Sequence, residues 1–206
     1  LRMAACCVRT VRCDTAAAGE WAAVVAQDGS AAPLWGLLHA GGVLRDAVVA
    51  GQSAERVREV FAPKLCEAAG WTAAAAARGV VLFSSVASAL GSPGQAGYAA
   101  ANAALDAAAV AQRSTGLRVT SVQWGAWGSG GMATADPAVL ERIERSGVGV
   151  LTPAQGLRVL GGVLTSRGNV ALVTASPFVW PRLLRGGVPE LFEEFADSAA
   201  TASAAA

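Results

Sequence analysis

Apolar residues along the chain follow two alternating patterns. Five short segments predict strands, at residues 8–14, 34–38, 79–84, 118–124 and 169–174, and the segment at 79–84 is continuously apolar. Apolar residues at helical spacing predict helices over residues 16–27, 53–74 and 95–112, and after residues 136 and 152. Because parallel strands are joined by helical crossovers of ten or more residues, this alternation predicts an α/β protein with a parallel sheet and flanking helices.

Particular residues mark the expected limits of these elements. Ser53 and Thr152 precede predicted helices and are expected to cap them. Pro63 is expected to kink or break the helix that follows Ser53. Towards its end the sequence becomes acidic and then rich in alanine and serine, so we expect one domain over 1–185 and a linker or tail over 186–206.

Composition narrows the class of protein. With 206 residues, 53% of them apolar and 15% charged, the chain can build one substantial core and is unlike disordered or nucleic-acid-coating proteins. The net charge of +1 gives no reason to expect a polyanionic partner. The longest uncharged stretch contains Ser, Pro, Gln and Asn, which argues against a membrane span, and no signal peptide opens the sequence. We therefore expect a cytoplasmic protein with neither nucleic acid nor membrane as partner.

The cysteines and the single histidine do not predict a metal site. Cys6, Cys7, Cys13 and Cys66 lack metal-ligand spacing, and His39 alone cannot complete a zinc set.

The uncharged stretch at 80–105 carries the candidate chemistry. It holds the only tyrosine, Tyr98, with Ser85 thirteen positions before it and Asn102 one helical turn after it, and Lys64 is the only lysine of the chain. Reduction of a ketone by hydride needs a proton donor at the carbonyl oxygen, yet a free tyrosine has a pKa of about 10. A nearby ammonium is expected to lower that pKa, while a serine hydroxyl holds the substrate oxygen and an asparagine holds a water or the lysine.

Several motifs together resemble one family. The run SSVASALGSPGQAGYAAANAALDA, preceded by HAGGVLRDA and FAPKL and followed by WGAWGSGGMA, resembles a ketoreductase domain of a modular type I polyketide synthase. Such domains belong to the short-chain dehydrogenase/reductase superfamily, and the resemblance covers residues 8–184. It implies a Rossmann-like fold, a ketoreductase catalytic subdomain over 1–185, and NADPH-dependent reduction of a β-ketoacyl thioester held by an acyl carrier protein, beside other synthase domains.

The resemblance also assigns expected roles to residues. Tyr98 is the general acid, Ser85 orients the keto oxygen, and Lys64 and Asn102 complete the catalytic set. The remaining positions are expected at the cofactor: Asp14 near the adenine, Ala40 and Gly41 beside the ribose, and Trp124, Gly125 and the loop that follows them, through Met132, at the nicotinamide and the substrate mouth.

Stereochemistry follows from a second group of positions. Ketoreductases of the B type, which give a D-configured hydroxyl, carry a Leu-Asp-Asp motif where this chain has Leu44, Arg45 and Asp46. Leu90 stands where the opposite type carries tryptophan, and Pro93 also fits the B type, whereas Gly97 departs from it. Gln95 and Met132 are expected on the substrate side of the same site. The resemblance therefore favours B-type reduction.

One family feature is missing, and some residues have plainer interpretations. No G-x-G-x-x-G turn follows an opening strand, so we expect an N-terminally truncated sheet, and a non-catalytic remnant with a structural or partner-binding role is the alternative function. A fatty-acid synthase ketoreductase is a closer alternative. Tyr98, Trp124 and Trp127 could serve packing alone, His39 a structural hydrogen bond, and Asp46 a solvated loop.

Overall fold

A parallel sheet forms the centre of the molecule. The computed structural model describes residues 8–17, 19–27, 35–65, 79–129, 137–166 and 170–195. Four parallel strands are ordered β1-β2-β3-β6, where these are β1 (Leu37–His39), β2 (Val80–Ser85), β3 (Val119–Trp124) and β6 (Leu172–Ala175). A separate parallel pair joins β4 (Ala126–Trp127) to β5 (Val150–Leu151). The predicted parallel α/β sheet is confirmed.

Helices connect the strands, as the sequence predicts. They are α1 (Glu20–Gln27), α2 (Ala54–Leu65), α3 (Ala87–Leu90), α4 (Ala96–Ser114), α5 (Pro137–Arg145), α6 (Pro153–Thr165) and α7 (Trp180–Leu183), with 3₁₀ turns at Val49–Gly51 and Glu190–Phe195. Within the described ranges, no helix combines the length and apolarity needed to cross a membrane.

The core has one apolar cluster on each face of the sheet. Strand side chains alternate between the faces, so Val80 and Leu82 join Leu105 and Ala109 of α4 on one side. On the other side, Val81 and Val122 pack with the apolar residues of α6. Because β2 is covered on both faces, its first four residues form a continuous apolar run, whereas β3 also buries the polar residues Ser121 and Gln123. This double covering gives the Rossmann-like architecture.

Two of the predicted helix caps are present. The Ser53 hydroxyl accepts a hydrogen bond from the Arg56 amide at 3.2 Å. Thr152 forms a reciprocal capping box with Gln155 at the start of α6. Helix α2 runs through Pro63 and ends two residues later, and the remainder of the predicted helix lies outside the described residues.

The strand predicted at 8–14 is wrong. These residues have no ladder partner, and the side chains of Val8 and Val11 are 80% and 38% exposed. A residue pattern alone does not produce a strand, because the backbone N–H and C=O groups of a strand must pair with those of a neighbouring strand. In the described part of the sheet, the strand that pairs with β1 is β2.

Part of the predicted tail packs against the domain. The rings of Phe192 and Phe195 lie 5.6 Å and 4.3 Å from the Trp180 ring, centroid to centroid. The 3₁₀ turn at Glu190–Phe195 therefore contacts α7, while residues 196–206 lie outside the described part.

Candidate active site

A cleft of about 670 Å³ opens at the carboxyl ends of the central strands. Ser85 and Trp124 are register partners at the ends of β2 and β3, and both line it. Ligands of open parallel sheets bind at this edge, where the strands deliver polar residues into a crevice. The predicted site residues that line the cleft are Ala40, Gly41, Leu44, Asp46, Lys64, Ser85, Leu90, Pro93, Gln95, Tyr98, Trp124 and Gly125.

Helix α4 brings Tyr98 and Asn102 together because residues four apart share one helix face. Tyr98 lines the cleft, and Asn102 lies behind it, fully buried. The Asn102 side-chain amide Nδ2 donates to the Tyr98 carbonyl oxygen at 2.9 Å. Its Oδ1 atom is buried with no hydrogen-bond partner among the described residues, so an acceptor is available directly behind the tyrosine.

Lys64 is buried beside Tyr98, at the end of α2. Its side chain is among the buried polar groups, and its Nζ donates to the Phe83 carbonyl oxygen at 3.2 Å. The ammonium lies 5.9 Å from the centroid of the Tyr98 ring. Burial lowers the pKa of Lys64 to about 8, and the negative charge of Asp106 opposes this shift. The ammonium form therefore persists at neutral pH but titrates just above it.

The pKa of Tyr98 corrects one expectation from the sequence. Burial raises this pKa above its usual value, hydrogen bonding with the Ser85 and Asn102 side chains opposes the shift, and the charge of Asp46 reinforces it. The expected lowering by an ammonium is wrong here, because desolvation of the phenolate dominates. Tyr98 is therefore protonated near neutral pH, as a proton donor must be.

Ser85 sits at the turn between β2 and α3. Its Oγ accepts a hydrogen bond from the Ala87 amide at 3.2 Å, which orients the hydroxyl at the cleft wall. The sequence stretch 80–105 thus brings strand end, turn and helix start to one edge of the cleft.

Two loops meet at the side of the cleft where stereocontrol is predicted. Gln95 Nε2 donates to the Asp46 carboxylate at 2.8 Å, and the Ala47 amide donates to the Gly94 carbonyl at 2.9 Å. Asp46 thus accepts a hydrogen bond from Gln95 at the cleft, while Asp46 itself is exposed, as the solvated-loop interpretation expects. Arg45 turns away and forms a surface ion pair with Glu59.

The opposite wall is made of small residues and one indole. A Cβ added to Gly125 would lie 2.4 Å from the Ser176 hydroxyl, so glycine leaves room for the Ser176 side chain. The Trp124 indole N–H is buried and has no hydrogen-bond partner among the described residues. Ala40 and Gly41 line the same cleft as Trp124 and add little bulk, which fits the ribose of a nicotinamide cofactor.

Three other predicted residues have different placements. Asp14 is exposed and is not among the lining residues, and its carboxylate accepts from the Ala16 amide at 2.9 Å. Met132 lies outside the described residues. His39 is buried at the end of β1 and is likewise not part of the lining. Burial, followed by the charge of Lys64, lowers its pKa, which favours a structural role.

Sequence reasoning missed one wall of the cleft. Arg142, Ile143 and Ser146, from α5 and the turn after it, line the cleft. They are more than forty residues from Tyr98 in the chain, so no local spacing connects them to the catalytic set. The amphipathic pattern of α5 was the one available signal that this helix covers something apolar.

Comparison with known proteins gives the family. The chain matches the family model described as KR domain over residues 1–129. It is 40% identical over 172 residues to the spectinabilin polyketide synthase system protein NorB of Streptomyces orinoci, covering 80% of this chain and 8% of that protein.

Solved structures agree with this match. One described as an A-type ketoreductase from a modular polyketide synthase has a TM-score of 0.78 and 38% identity, covering 85% of this chain and 37% of that one. A ketoreductase from the first module of phoslactomycin biosynthesis in Streptomyces sp. HK803 has a TM-score of 0.79 and 30% identity, covering 90% and 44%. The chain thus spans less than half the length of either solved chain.

With the parallel sheet, the cleft at its carboxyl edge and these matches together, the chain belongs to the ketoreductase domains of modular polyketide synthases, oxidoreductases of the short-chain dehydrogenase/reductase superfamily whose fold implies a nicotinamide cofactor.

Proposed function

We propose that this chain reduces the β-keto group of an acyl thioester, carried by an acyl carrier protein, to a hydroxyl with NADPH as reductant, in the cytoplasm. One observation supports this most: a protonated Tyr98 lies in one cleft with Ser85, and the buried ammonium of Lys64 lies 5.9 Å from the tyrosine ring. A carbonyl reductase needs an acid, a group that orients the oxygen, and a cation that stabilises the charge left on the acid.

In the proposed reaction, different residues orient the keto oxygen, donate the proton and stabilise the charge that remains. Bound NADPH supplies hydride to the β-carbon. The Ser85 hydroxyl donates a hydrogen bond to the keto oxygen and holds it towards Tyr98. Tyr98 gives its proton to that oxygen, and the Lys64 ammonium stabilises the phenolate that remains. Asn102 fixes the backbone of Tyr98, and its Oδ1 can accept a hydrogen bond from a water that returns the proton.

The wall formed by Ala40, Gly41, Trp124 and Gly125 is the proposed cofactor side of the cleft. Small residues let the nicotinamide and ribose approach the backbone closely, and the Trp124 indole N–H offers a hydrogen bond. The choice of NADPH over NADH rests on the resemblance to polyketide synthase ketoreductases.

We propose B-type stereochemistry from the residues on the predicted stereocontrol side of the cleft. Asp46 and Gln95 are hydrogen-bonded to each other in the cleft wall, and Leu90 leaves open the place where the other type carries tryptophan. The solved relative at 38% identity is described as an A-type ketoreductase, so the L-configured product is the alternative outcome.

The proposed partners follow from the relatives. NorB is named as a polyketide synthase system protein, and this chain matches only 8% of its length. We therefore propose an acyl carrier protein and other synthase domains as partners. Arg142 supplies a cation at the cleft that suits the phosphate of a phosphopantetheine arm. We propose a catalytic part over 1–185, against which the 3₁₀ turn at Glu190–Phe195 of the predicted linker packs.

The test is turnover of a β-ketoacyl thioester by this chain with NADPH or NADH, with the product resolved on a chiral column. Consumption of NADPH in preference to NADH and a D-configured product would support the proposal. An L-configured product would refute the B-type assignment alone. If quenching of tryptophan fluorescence detects no NADPH binding and no β-ketoacyl thioester is turned over, the non-catalytic remnant is favoured.

A further inference from the structure

A buried carboxylate lies directly behind the proposed catalytic residues. Asp106 follows Tyr98 and Asn102 at intervals of four on α4, so the three share one helix face. It is 7% exposed, and its Oδ1 accepts from the Ser121 hydroxyl at 2.6 Å. Its Oδ2 accepts from the Gln123 amide at 2.7 Å. A carboxylate that two strand residues hold in this way is fixed in position.

This carboxylate reaches Ser85 through one hydroxyl. Ser88 Oγ lies 2.6 Å from Asp106 Oδ2 and 2.8 Å from the Ser85 carbonyl oxygen. One hydroxyl proton serves one acceptor at a time, and the charged carboxylate is the stronger of the two. The contact ties α3, and with it the turn that carries Ser85, to the helix that carries Tyr98.

The same charge acts on Lys64. Asp106 is the one group among the described residues whose charge favours the ammonium of Lys64 against burial. The other titratable groups that face the site are Tyr98 on α4, which is neutral near pH 7, and His39 at the end of β1, whose pKa is lowered. Asp46, in the loop after β1, acts on Tyr98. The counter-charge of Lys64 therefore comes from inside the core.

We propose that Asp106 is a positioning residue for the reductase site, which holds the Ser85 turn through Ser88 and is the buried counter-charge of Lys64. The catalytic part of this inference rests on the proposed reductase function. The effect of Asp106 on the pKa of Lys64 can be measured without turnover. Sequence reasoning missed it because Asp106, Ser88 and Ser121 meet only in the folded chain.

The plainer alternative is that Asp106 only stabilises the core. Two variants separate the possibilities. Asp106→Asn keeps the shape and removes the charge, whereas Ser121→Ala removes a buried hydrogen bond to the same carboxylate and leaves the charge in place. A structural role predicts similar effects of both variants on Lys64, and a counter-charge role predicts an effect of the first alone.

The experiment titrates the single lysine by NMR. Because Lys64 is the only lysine, lysine-selective labelling of the whole chain gives one side-chain resonance that needs no assignment. In the wild type we expect a midpoint near 8. In Asp106→Asn the midpoint should fall by about one pH unit, since one nearby buried charge is lost, and in Ser121→Ala it should stay. An unchanged midpoint in folded Asp106→Asn, or an equal fall in Ser121→Ala, would overturn the counter-charge role.

Ser88→Ala tests the positioning role and retains the charge. It should leave the titration midpoint of Lys64 unchanged. It should lower kcat about tenfold with little change in KM, because a loosely held Ser85 orients the keto oxygen less well but does not weaken substrate binding. An unchanged kcat would refute the link through Ser88, and this variant carries the test if Asp106→Asn does not fold. If the wild type itself shows no turnover, the proposed function fails, while the NMR result still decides the counter-charge.

Discussion

Substituting Gly156 by alanine should open the packing between helix α6 and the wall of the cleft. A Cβ at this position would lie 2.2 Å from the far edge of the Trp127 ring, with two further ring atoms at 2.5 Å and 2.7 Å. The ring cannot swing away freely, because it packs on Trp124 at 5.1 Å between centroids and its strand β4 is paired with β5.

The magnitude follows from two opposed effects. Alanine in place of glycine inside a helix stabilises by about 1 kcal/mol. Forcing a methyl group into a filled core typically costs about 1–3 kcal/mol, and three overlaps place this site at about 3. The net expectation for Gly156→Ala is a loss of about 2 kcal/mol in the free energy of unfolding, which lowers Tm by about 4–8 °C in a chain of this size.

Helix α6 supplies its own control. A Cβ added to Gly161 meets nothing within 4 Å, so Gly161→Ala should gain the helix contribution alone and raise Tm by about 2–4 °C. Urea and thermal unfolding, followed by circular dichroism, measure both variants. Because Trp127 also lines the cleft, Gly156→Ala should raise KM for the thioester. Equal stability of the two variants would refute the packing argument.

Two further predictions concern charge. Burial lowers the pKa of Lys64 from 10.5 to about 8, so below pH 8 the buried ammonium lowers the free energy of unfolding by about 3 kcal/mol. Between pH 8 and 10.5 the unfolded chain binds a proton that the folded chain has lost. The free energy of unfolding of the wild type should therefore rise, relative to Lys64→Met, as pH increases from 8 to 10, and a constant difference in urea titrations would contradict it. Arg142→Ala should raise KM about fivefold for a thioester on a phosphopantetheine arm and leave KM for a short cysteamine thioester unchanged, since only the former carries phosphate. Arg145→Ala should change neither, because Arg145 pairs with Glu141 on the exposed side of α5, and equal effects of both variants would exclude a specific phosphate contact.

The sequence predicted the parts of the fold that local pattern determines. The apolar run of β2 and the helical spacing of α4 and α6 are visible in the local pattern of the sequence. The proposed catalytic set was accessible for a similar reason, since Tyr98 and Asn102 are one helical turn apart and Ser85 ends the preceding strand. Lys64 was found because it is the single lysine of the chain and lies in the FAPKL motif.

What the sequence could not give depends on contacts between distant residues. Asp46 and Gln95 are 49 positions apart, and their hydrogen bond exists only where two loops meet. The direction of the Tyr98 pKa shift was mistaken because burial, a property of the folded cleft, raises the pKa and outweighs the hydrogen bonds with Ser85 and Asn102. Residues 8–14 have the pattern of a strand but do not form one, and α5 lines the cleft without any local motif that marks it.

The most direct test of the central claim is the rate of NADPH oxidation by Tyr98→Phe with a β-ketoacyl thioester, measured beside the wild type at saturating cofactor. Loss of the phenolic proton should lower kcat by about 10²–10⁴-fold, the usual contribution of a general acid, while NADPH binding stays within about twofold because the ring remains. A Tyr98→Phe variant that turns over within a few-fold of an active wild type would contradict the assignment of Tyr98 as the acid.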